Sequence, residues 1–287
     1  MKLGVSTYSL SRAIKAGDMD VFGVIQWIAD NGGQHVEIVP IGFTLDDNPE
    51  LVDAIVKKAA DAGIEISNYA IGANFAVGDE EQLQQEIARV KKQVDIANRL
   101  GVKRMRHDVA SRPIPETSVA QFDADFDRLV RACAEIADYA SQYGIVTSVE
   151  NHGFFIQASE RVHRLINAVN RPNFRHTVDV GNFLCVDENP VSAVRKSLPY
   201  ASMIHLKDFY VRPSYRNPGD GWFRTAGQNY LRGAIVGQGD IDIPEIIRLI
   251  KASGYDGYIS IEFEGKEDCV WGTKTALDNA KRIWDEV

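Results

Sequence analysis

Short apolar runs alternate along the chain with segments in which apolar residues recur at helical spacing. In five places a helical segment ends in glycine and an apolar, β-branched run follows. The five glycines are Gly33, Gly63, Gly101, Gly144 and Gly254. Glycine suits the position just past a helix because it enters the left-handed conformation without a Cβ penalty, and the runs have the length of buried parallel strands. Each phrase predicts a helix-to-strand junction.

The complete pattern predicts eight strands alternating with eight helices. The predicted helices are Val21–Asp30, Pro49–Ala62, Glu80–Leu100, Val119–Tyr143, Ser159–Val169, Pro190–Ser197, Ile243–Ser253 and Val270–Glu286. The predicted strands are Leu3–Ser6, His35–Val39, Ile64–Ile66, Val102–Met105, Ile145–Thr147, Phe174–Asp179, Ala201–Leu206 and Tyr258–Ile261. This alternation favours an α/β fold, a single closed (β/α)8 TIM barrel spanning residues 1–287, and the pattern alone leaves an open α/β sheet as the alternative.

Ionisable residues lie at or directly after the carboxyl ends of six of the predicted strands. In a barrel the chemistry lies at the carboxyl ends of the strands. The polar residues at these ends are Glu37, Arg106-His107-Asp108, Glu150-Asn151-His152, Asp179, His205-Leu206-Lys207-Asp208 and Glu262. A semi-buried, ionised carboxylate must be paired, hydrogen-bonded or bound to a metal, so a polar site is expected at this end of the barrel.

Four of these residues come from four consecutive strands and would converge on one side of the barrel mouth: Glu150, Asp179, His205 and Glu262. Three carboxylates and one imidazole form a hard, mostly oxygen shell that suits one Mn²⁺, Mg²⁺ or Co²⁺ ion and tolerates Zn²⁺. The structural alternative is a set of salt bridges to Lys103, Arg106 or Lys207.

Composition and charge narrow the class of protein. The chain has 287 residues, 45% of them hydrophobic and 25% charged, with a formal net charge of -8, which is globular usage without a basic block for nucleic acid. Cys133, Cys185 and Cys269 lie far apart and predict free thiols in a reducing compartment. No uncharged run has the length of a membrane helix, so we expect a cytoplasmic protein without membrane contact.

At this point the sequence resembles the sugar phosphate isomerase/epimerase family of xylose isomerase-like TIM barrels, which includes ketose 3-epimerases, 2-keto-myo-inositol isomerase, inosose dehydratase and, more distantly, endonuclease IV. The resemblance covers essentially the whole chain. It is carried by the order and spacing of five phrases: Ser148–Gly153, His176–Asn182, Ile204–Asp208, Gly237–Asp242 and Tyr255–Glu262.

The resemblance implies that Glu150, Asp179, His205 and Glu262 hold one divalent metal ion and that Glu150 and Glu262 are also the catalytic acid/base pair. It implies proton abstraction next to a carbonyl through an enediolate, and leaves epimerisation, isomerisation and dehydration open. Where several relatives carry a histidine three residues after the metal aspartate, this chain has Asn182. That departure weakens the endonuclease interpretation, and Asn182 is expected to contact a sugar hydroxyl.

Further substrate contacts are expected at strand ends and in one long loop. Tyr8 and Glu37 follow the first two strands where the family shapes its pocket, and Lys207 would point to the same side as His205. His107 and His152 either contact substrate or orient a ligand. The segment 209–242 is expected to be a functional loop, in which arginines such as Arg212 clamp an anionic group or take part in an oligomer contact.

The sequence thus predicts a metal-dependent sugar isomerase or epimerase that acts on a ketose, a sugar phosphate or a keto-cyclitol. The alternatives are a lyase of the inosose dehydratase kind, an endonuclease IV-like phosphodiesterase and a sugar-binding barrel without activity. We expect a small-molecule sugar or cyclitol as partner and no nucleic acid. Formation of a homo-oligomer stays open.

Overall fold

Eight parallel strands form a closed barrel in the computed structural model, which describes residues 1–76 and 78–287. The strands of the barrel are β1 (Lys2–Ser6), β2 (His35–Ile38), β3 (Glu65–Ile71), β4 (Arg104–His107), β5 (Val146–Glu150), β6 (Phe174–Asp179), β7 (Ala201–Leu206) and β11 (Tyr258–Ile261). Neighbours in sequence are neighbours in the barrel, and β11 closes it by pairing with both β7 and β1. The predicted α/β class and TIM-barrel fold are confirmed.

Nine helices occur in the described part of the chain: α1 (Ser11–Ala16), α2 (Val21–Asp30), α3 (Pro49–Ala62), α4 (Glu80–Arg99), α5 (Val119–Ser141), α6 (Ser159–Val169), α7 (Pro190–Ser197), α8 (Ile243–Ala252) and α9 (Cys269–Glu286). Eight of them match the predicted helices to within two residues at each end, and the short α1 is additional. The helix starts follow their capping residues: the side chains of Asn48 and Asn189 accept hydrogen bonds from Leu51 N and Ser192 N.

The glycines at the helix-to-strand junctions adopt the predicted left-handed backbone in four of the five phrases. Gly63, for example, has φ +71° and ends α3. In the first phrase Gly32, with φ +73°, takes this role in place of Gly33. A Cβ on Gly33 would lie 2.5 Å from Ile28 Cγ2, so that glycine is needed for close packing.

Segment 209–242 contains a small antiparallel sheet, so the expectation of one long loop is wrong. Its strands are β8 (Asp208–Arg212), β9 (Phe223–Arg224) and β10 (Tyr230–Ala234), in the order β8-β10-β9. Asp208 ties the sheet to the segment that leads into α8, because its carboxylate accepts hydrogen bonds from Gly237 N and Gly239 N at 2.9 Å and from Ile241 N at 3.3 Å. This carboxylate holds the end of the segment against the barrel.

Alternation along the strands separates an apolar core from a polar interior. Outward positions such as Val149, Val178 and Ile261 are buried between the barrel and the helices, and they belong to one connected hydrophobic core. Across the part of the chain that the structure describes, no helix is both long enough and apolar enough to cross a membrane. All three cysteines are buried and unpaired, as predicted.

Candidate active site

A cavity of about 700 Å³ opens at the carboxyl ends of the barrel strands. One side is apolar and comes from the segment after β2, including Val39, Ile41 and Phe43, whereas Glu150 and Glu262 belong to its charged lining. A volume of this size and a lining with many convergent polar groups suit a small polar molecule.

Four ionisable side chains converge at this cavity: Glu150 of β5, Asp179 of β6, His205 of β7 and Glu262 directly after β11. Each offers one ligand atom, and the four atoms lie within 4.8 Å of one another. His205 Nδ1 lies 2.6 Å from Glu262 Oε2, 3.8 Å from Glu150 Oε2 and 3.9 Å from Asp179 Oδ2. The structure therefore brings together all four residues that the sequence predicts as a metal shell.

Three of the converging atoms make no hydrogen bond to any described residue. They are Asp179 Oδ2, His205 Nδ1 and Glu262 Oε2, and all are buried. The other oxygen of Asp179 is occupied, because Oδ1 accepts hydrogen bonds from Gly181 N at 2.8 Å and Asn182 N at 2.9 Å. Buried polar atoms normally have hydrogen-bond partners, whereas these three have only ion-pair contacts, so they fit a cation held by hard oxygen ligands and one imidazole.

Burial and mutual contact set the protonation of this cluster. Burial raises the pKa of Asp179 to about 6, against the opposing effect of Lys207. Burial alone would also raise the pKa of Glu262, but the charges of Lys207 and His205 hold it below its usual value. For His205, burial is outweighed by the carboxylates of Glu37 and Glu262, and the pKa of the imidazole lies well above its usual range.

Glu150 has polar partners on both carboxylate oxygens. Arg106 Nε donates to Oε2 at 2.5 Å, and Asn182 Nδ2 donates to Oε1 at 3.0 Å. Arg106 also donates to Ile71 O, and its Nη1 lies 3.5 Å from Asp108 Oδ1. A buried carboxylate that is held in this way has a fixed orientation toward the cavity.

Lys207 lies among three carboxylates next to the cavity. Its ammonium is 3.0 Å from Asp179 Oδ2 without hydrogen-bond alignment, 3.5 Å from Glu262 Oε1 and 3.6 Å from Glu264 Oε2. Burial would lower the pKa of this ammonium, but the carboxylates raise it well above its usual value. The salt-bridge alternative thus holds for Lys207 and Arg106, whereas Lys103 bonds to the backbone of Tyr143.

Tyr8 and Glu264 extend the polar lining beyond the predicted shell. Tyr8 OH donates to Glu264 Oε2 at 3.3 Å, and burial together with this carboxylate raises the pKa of the phenol to about 12. Glu264 is absent from the sequence-based candidates. It follows Glu262 by two residues, so strand alternation would have assigned it to the same side.

His152 lines the cavity with a half-exposed ring. Its Nδ1 lies 3.2 Å from Asp108 Oδ1, and Asp108 also contacts Arg106. The ring of His152 is therefore held by a carboxylate and reaches the cavity, and its contact with substrate stays a prediction.

The placement of His107 corrects the expectation that it contacts substrate. The side chain is fully buried, does not line the cavity and lies between the rings of Phe75 and Phe174. Successive residues of a strand point to opposite faces, and Arg106 takes the inward face, so His107 points to the helical layer. The two neighbours of His107, Arg106 and Asp108, line the cavity instead.

Arg212 also lies away from the cavity, contrary to expectation. It is on β8, its Nη1 donates to Asp240 Oδ2 at 3.0 Å, and its guanidinium lies 5.5 Å from the centre of the Trp222 ring. Of residues 209–242, all of which are described, Phe223 alone lines the cavity. The predicted arginine clamp is therefore absent from this segment.

Comparison with known proteins identifies relatives that are named as an isomerase and a dehydratase. It is 21% identical over 274 residues to the human protein named "Putative hydroxypyruvate isomerase", with 88% of this chain and 87% of the relative covered. It is 25% identical over 274 residues to inosose dehydratase of Glaesserella parasuis, with 79% of this chain and 89% of the relative covered.

Solved structures support the same fold. D-psicose 3-epimerase of Clostridium cellulolyticum superposes with a TM-score of 0.75 at 17% identity, over 99% of each chain. A family model described as xylose isomerase-like TIM barrel matches residues 25–286. The chain therefore belongs to the xylose isomerase-like TIM barrel family.

Proposed function

We propose that this chain is a divalent-metal-dependent sugar epimerase or isomerase, which removes a proton next to the carbonyl of a ketose, sugar phosphate or keto-cyclitol. The observation that carries the proposal is the convergence of three carboxylates and one imidazole on one cavity, with buried ligand atoms that lack hydrogen bonds. The working environment that we expect is the cytoplasm, with a small molecule and not a nucleic acid as substrate.

The charges around the cluster favour a divalent cation. Four buried carboxylates belong to it: Glu37, Glu150, Asp179 and Glu262. The side-chain cations in contact with them are Arg106 and Lys207. With His205 neutral, as a metal ligand must be, these four carboxylates exceed the two cations by two charges. The cations are also shared with Glu264 and Asp108, so at least two negative charges remain for a divalent ion to balance.

The chain's own residues supply the proton transfers in this proposal. A divalent ion held by Glu150, Asp179, His205 and Glu262 would supply Lewis-acid stabilisation of the developing oxyanion. One of the two glutamates takes the proton from carbon, and the electron pair of the C–H bond moves into an enediolate. Return of a proton to the opposite face of that carbon completes epimerisation, whereas return to the adjacent carbon completes isomerisation.

The test is proton exchange followed by NMR in deuterated water. Metal-loaded and chelator-treated protein would each be incubated with ketoses, their phosphates and keto-inositols. We expect deuterium to enter next to the carbonyl only with metal-loaded protein, and the position labelled identifies the substrate class. No exchange over the whole panel with a protein that binds metal would contradict the proposed function.

Dehydration is the second candidate, because His152 provides a third group beside the two glutamates. Its half-exposed ring lines the cavity and is oriented by Asp108. From that place an imidazole could protonate a leaving hydroxyl, so that the enediolate loses water. Release of water from a keto-inositol by the wild type, lost in His152→Asn, would favour this candidate over epimerisation.

A further inference from the structure

Glu37 of β2 contacts His205 across the interior of the barrel. The two residues are 168 positions apart, and Glu37 Oε1 and Oε2 lie 3.0 and 2.9 Å from His205 Nε2. The side chain of Glu37 is fully buried and does not line the cavity, so it contacts the imidazole and not the substrate.

Glu37 is itself held by a residue of the next strand. Asn68 of β3 is buried, and its Nδ2 donates to Glu37 Oε1 at 2.7 Å. The amide, the carboxylate and the imidazole therefore form a chain that runs from β3 through β2 to β7. The far end of this chain is His205 Nδ1, the atom that faces Glu150, Asp179 and Glu262 without a hydrogen bond.

We propose that Glu37 is a positioning residue, which holds the proton of neutral His205 on Nε2 and thereby presents Nδ1 to the divalent ion. This inference rests on the metal dependence in the proposed function. A carboxylate that accepts the N–H of an imidazole fixes its tautomer and its ring orientation, and makes the other nitrogen a more basic ligand. Asn68 restricts the carboxylate to the geometry in which it can do this.

A purely structural ion pair would have a different signature. Loss of such a pair would lower the melting temperature and leave metal affinity and the coordinating nitrogen unchanged. A positioning role requires that metal affinity falls even where the variant is fully folded. The two roles are therefore separated by measurements of binding and of tautomer, without reference to activity.

The first experiment is calorimetric titration of the chelator-treated full chain with Mn²⁺. We expect Glu37→Gln to weaken binding by about tenfold to a hundredfold, and Asn68→Ala to weaken it less. The matched control is Glu188→Gln, because Glu188 is a partly buried, ion-paired glutamate next to Lys196 and outside the cavity lining. We expect this control to bind Mn²⁺ within about twofold of the wild type, the usual effect of a substitution away from the ligands.

The second experiment uses the wild type, so it does not depend on whether a variant folds. Histidine ¹⁵N NMR of the Zn²⁺-loaded protein should show His205 with its proton on Nε2 and the metal on Nδ1. The reverse assignment, or wild-type affinity in a folded Glu37→Gln, overturns the role of Glu37 while metal binding by the wild type stands. Absence of metal binding by the wild type overturns the metal dependence and this inference together.

Discussion

Two regions of this barrel that hold buried ionisable side chains differ in how the groups are partnered. Those that point to the barrel mouth contact one another, as His205 contacts Glu37 and Glu262. His107 and His176 point to the helical layer instead, where burial lowers the pKa of His107 to about 4 and that of His176 well below its usual value. The first region is a cluster of charges, whereas the second holds neutral rings.

The difference shows that residue type at a strand end is a weaker guide to function than side-chain direction. Arg106 and His107 are adjacent on β4, yet Arg106 bonds Glu150 at the cavity and His107 packs between aromatic rings. Substitutions in the mouth should therefore impair chemistry more than folding. Substitutions facing the helices should do the reverse.

The largest expected effect is that of Glu150→Gln on proton exchange. Removal of a general acid or base costs on the order of a thousandfold in rate, whereas a glutamine can still accept the hydrogen bond from Asn182. NMR exchange rates and circular dichroism melting would be measured on the same metal-loaded sample. Unchanged exchange in this variant would remove Glu150 from the acid/base pair.

His107→Ala should have the opposite profile. Truncation of a buried ring between Phe75 and Phe174 leaves a cavity, and we expect the free energy of unfolding to fall by about 3 kcal/mol. The exchange rate of the folded variant should stay within about threefold of the wild type, since the residue does not line the cavity. Urea unfolding measures the free energy of unfolding. A large loss of exchange without loss of stability would show that His107 takes part in the chemistry.

Much of the fold could be predicted because local rules govern it. The bounds of α2, α3 and α7 follow from caps and apolar spacing and those of α6 from apolar spacing, and all four agree with the structure. Three predicted strands were too short at their carboxyl ends, since an apolar run stops where inward polar residues such as Glu150 begin. The sheet of β8, β9 and β10 was missed because the prolines and glycines of residues 213–221 are typical of a loop and its strands are short.

The candidate metal shell could be predicted from the order of strand ends and from the family resemblance. The residues that hydrogen-bond to this shell could not be predicted, because they come from distant strands. No motif in the sequence marks Asn68, and only the register of β2 and β3 brings it to Glu37. The alternation of side chains along a strand could have predicted that Glu264 and Arg106 point to the cavity.

Acidification should destabilise the protein through its buried neutral histidines. Burial lowers the pKa of His107 from 6.5 to about 4, so between these values the unfolded chain binds a proton that the folded chain excludes. Stability is therefore lost as the pH falls, by about 2 kcal/mol for this group between pH 6.5 and pH 5. Urea unfolding of the wild type and of His107→Ala at both pH values isolates the contribution, which should be missing from the variant.

The smallest effect is expected for Arg212→Ala. This variant tests whether the charged lining of the cavity extends to the antiparallel sheet. Arg212 pairs with a half-exposed Asp240 on the antiparallel sheet, so its loss should change the free energy of unfolding by less than about 1 kcal/mol. Phe223→Ala is the matched control on the same sheet, because Phe223 lines the cavity and its truncation should raise KM several-fold. If Arg212→Ala raised KM as much as Phe223→Ala, specifically for phosphorylated substrates, the sheet would have to close over the cavity during catalysis and bring this guanidinium to the substrate.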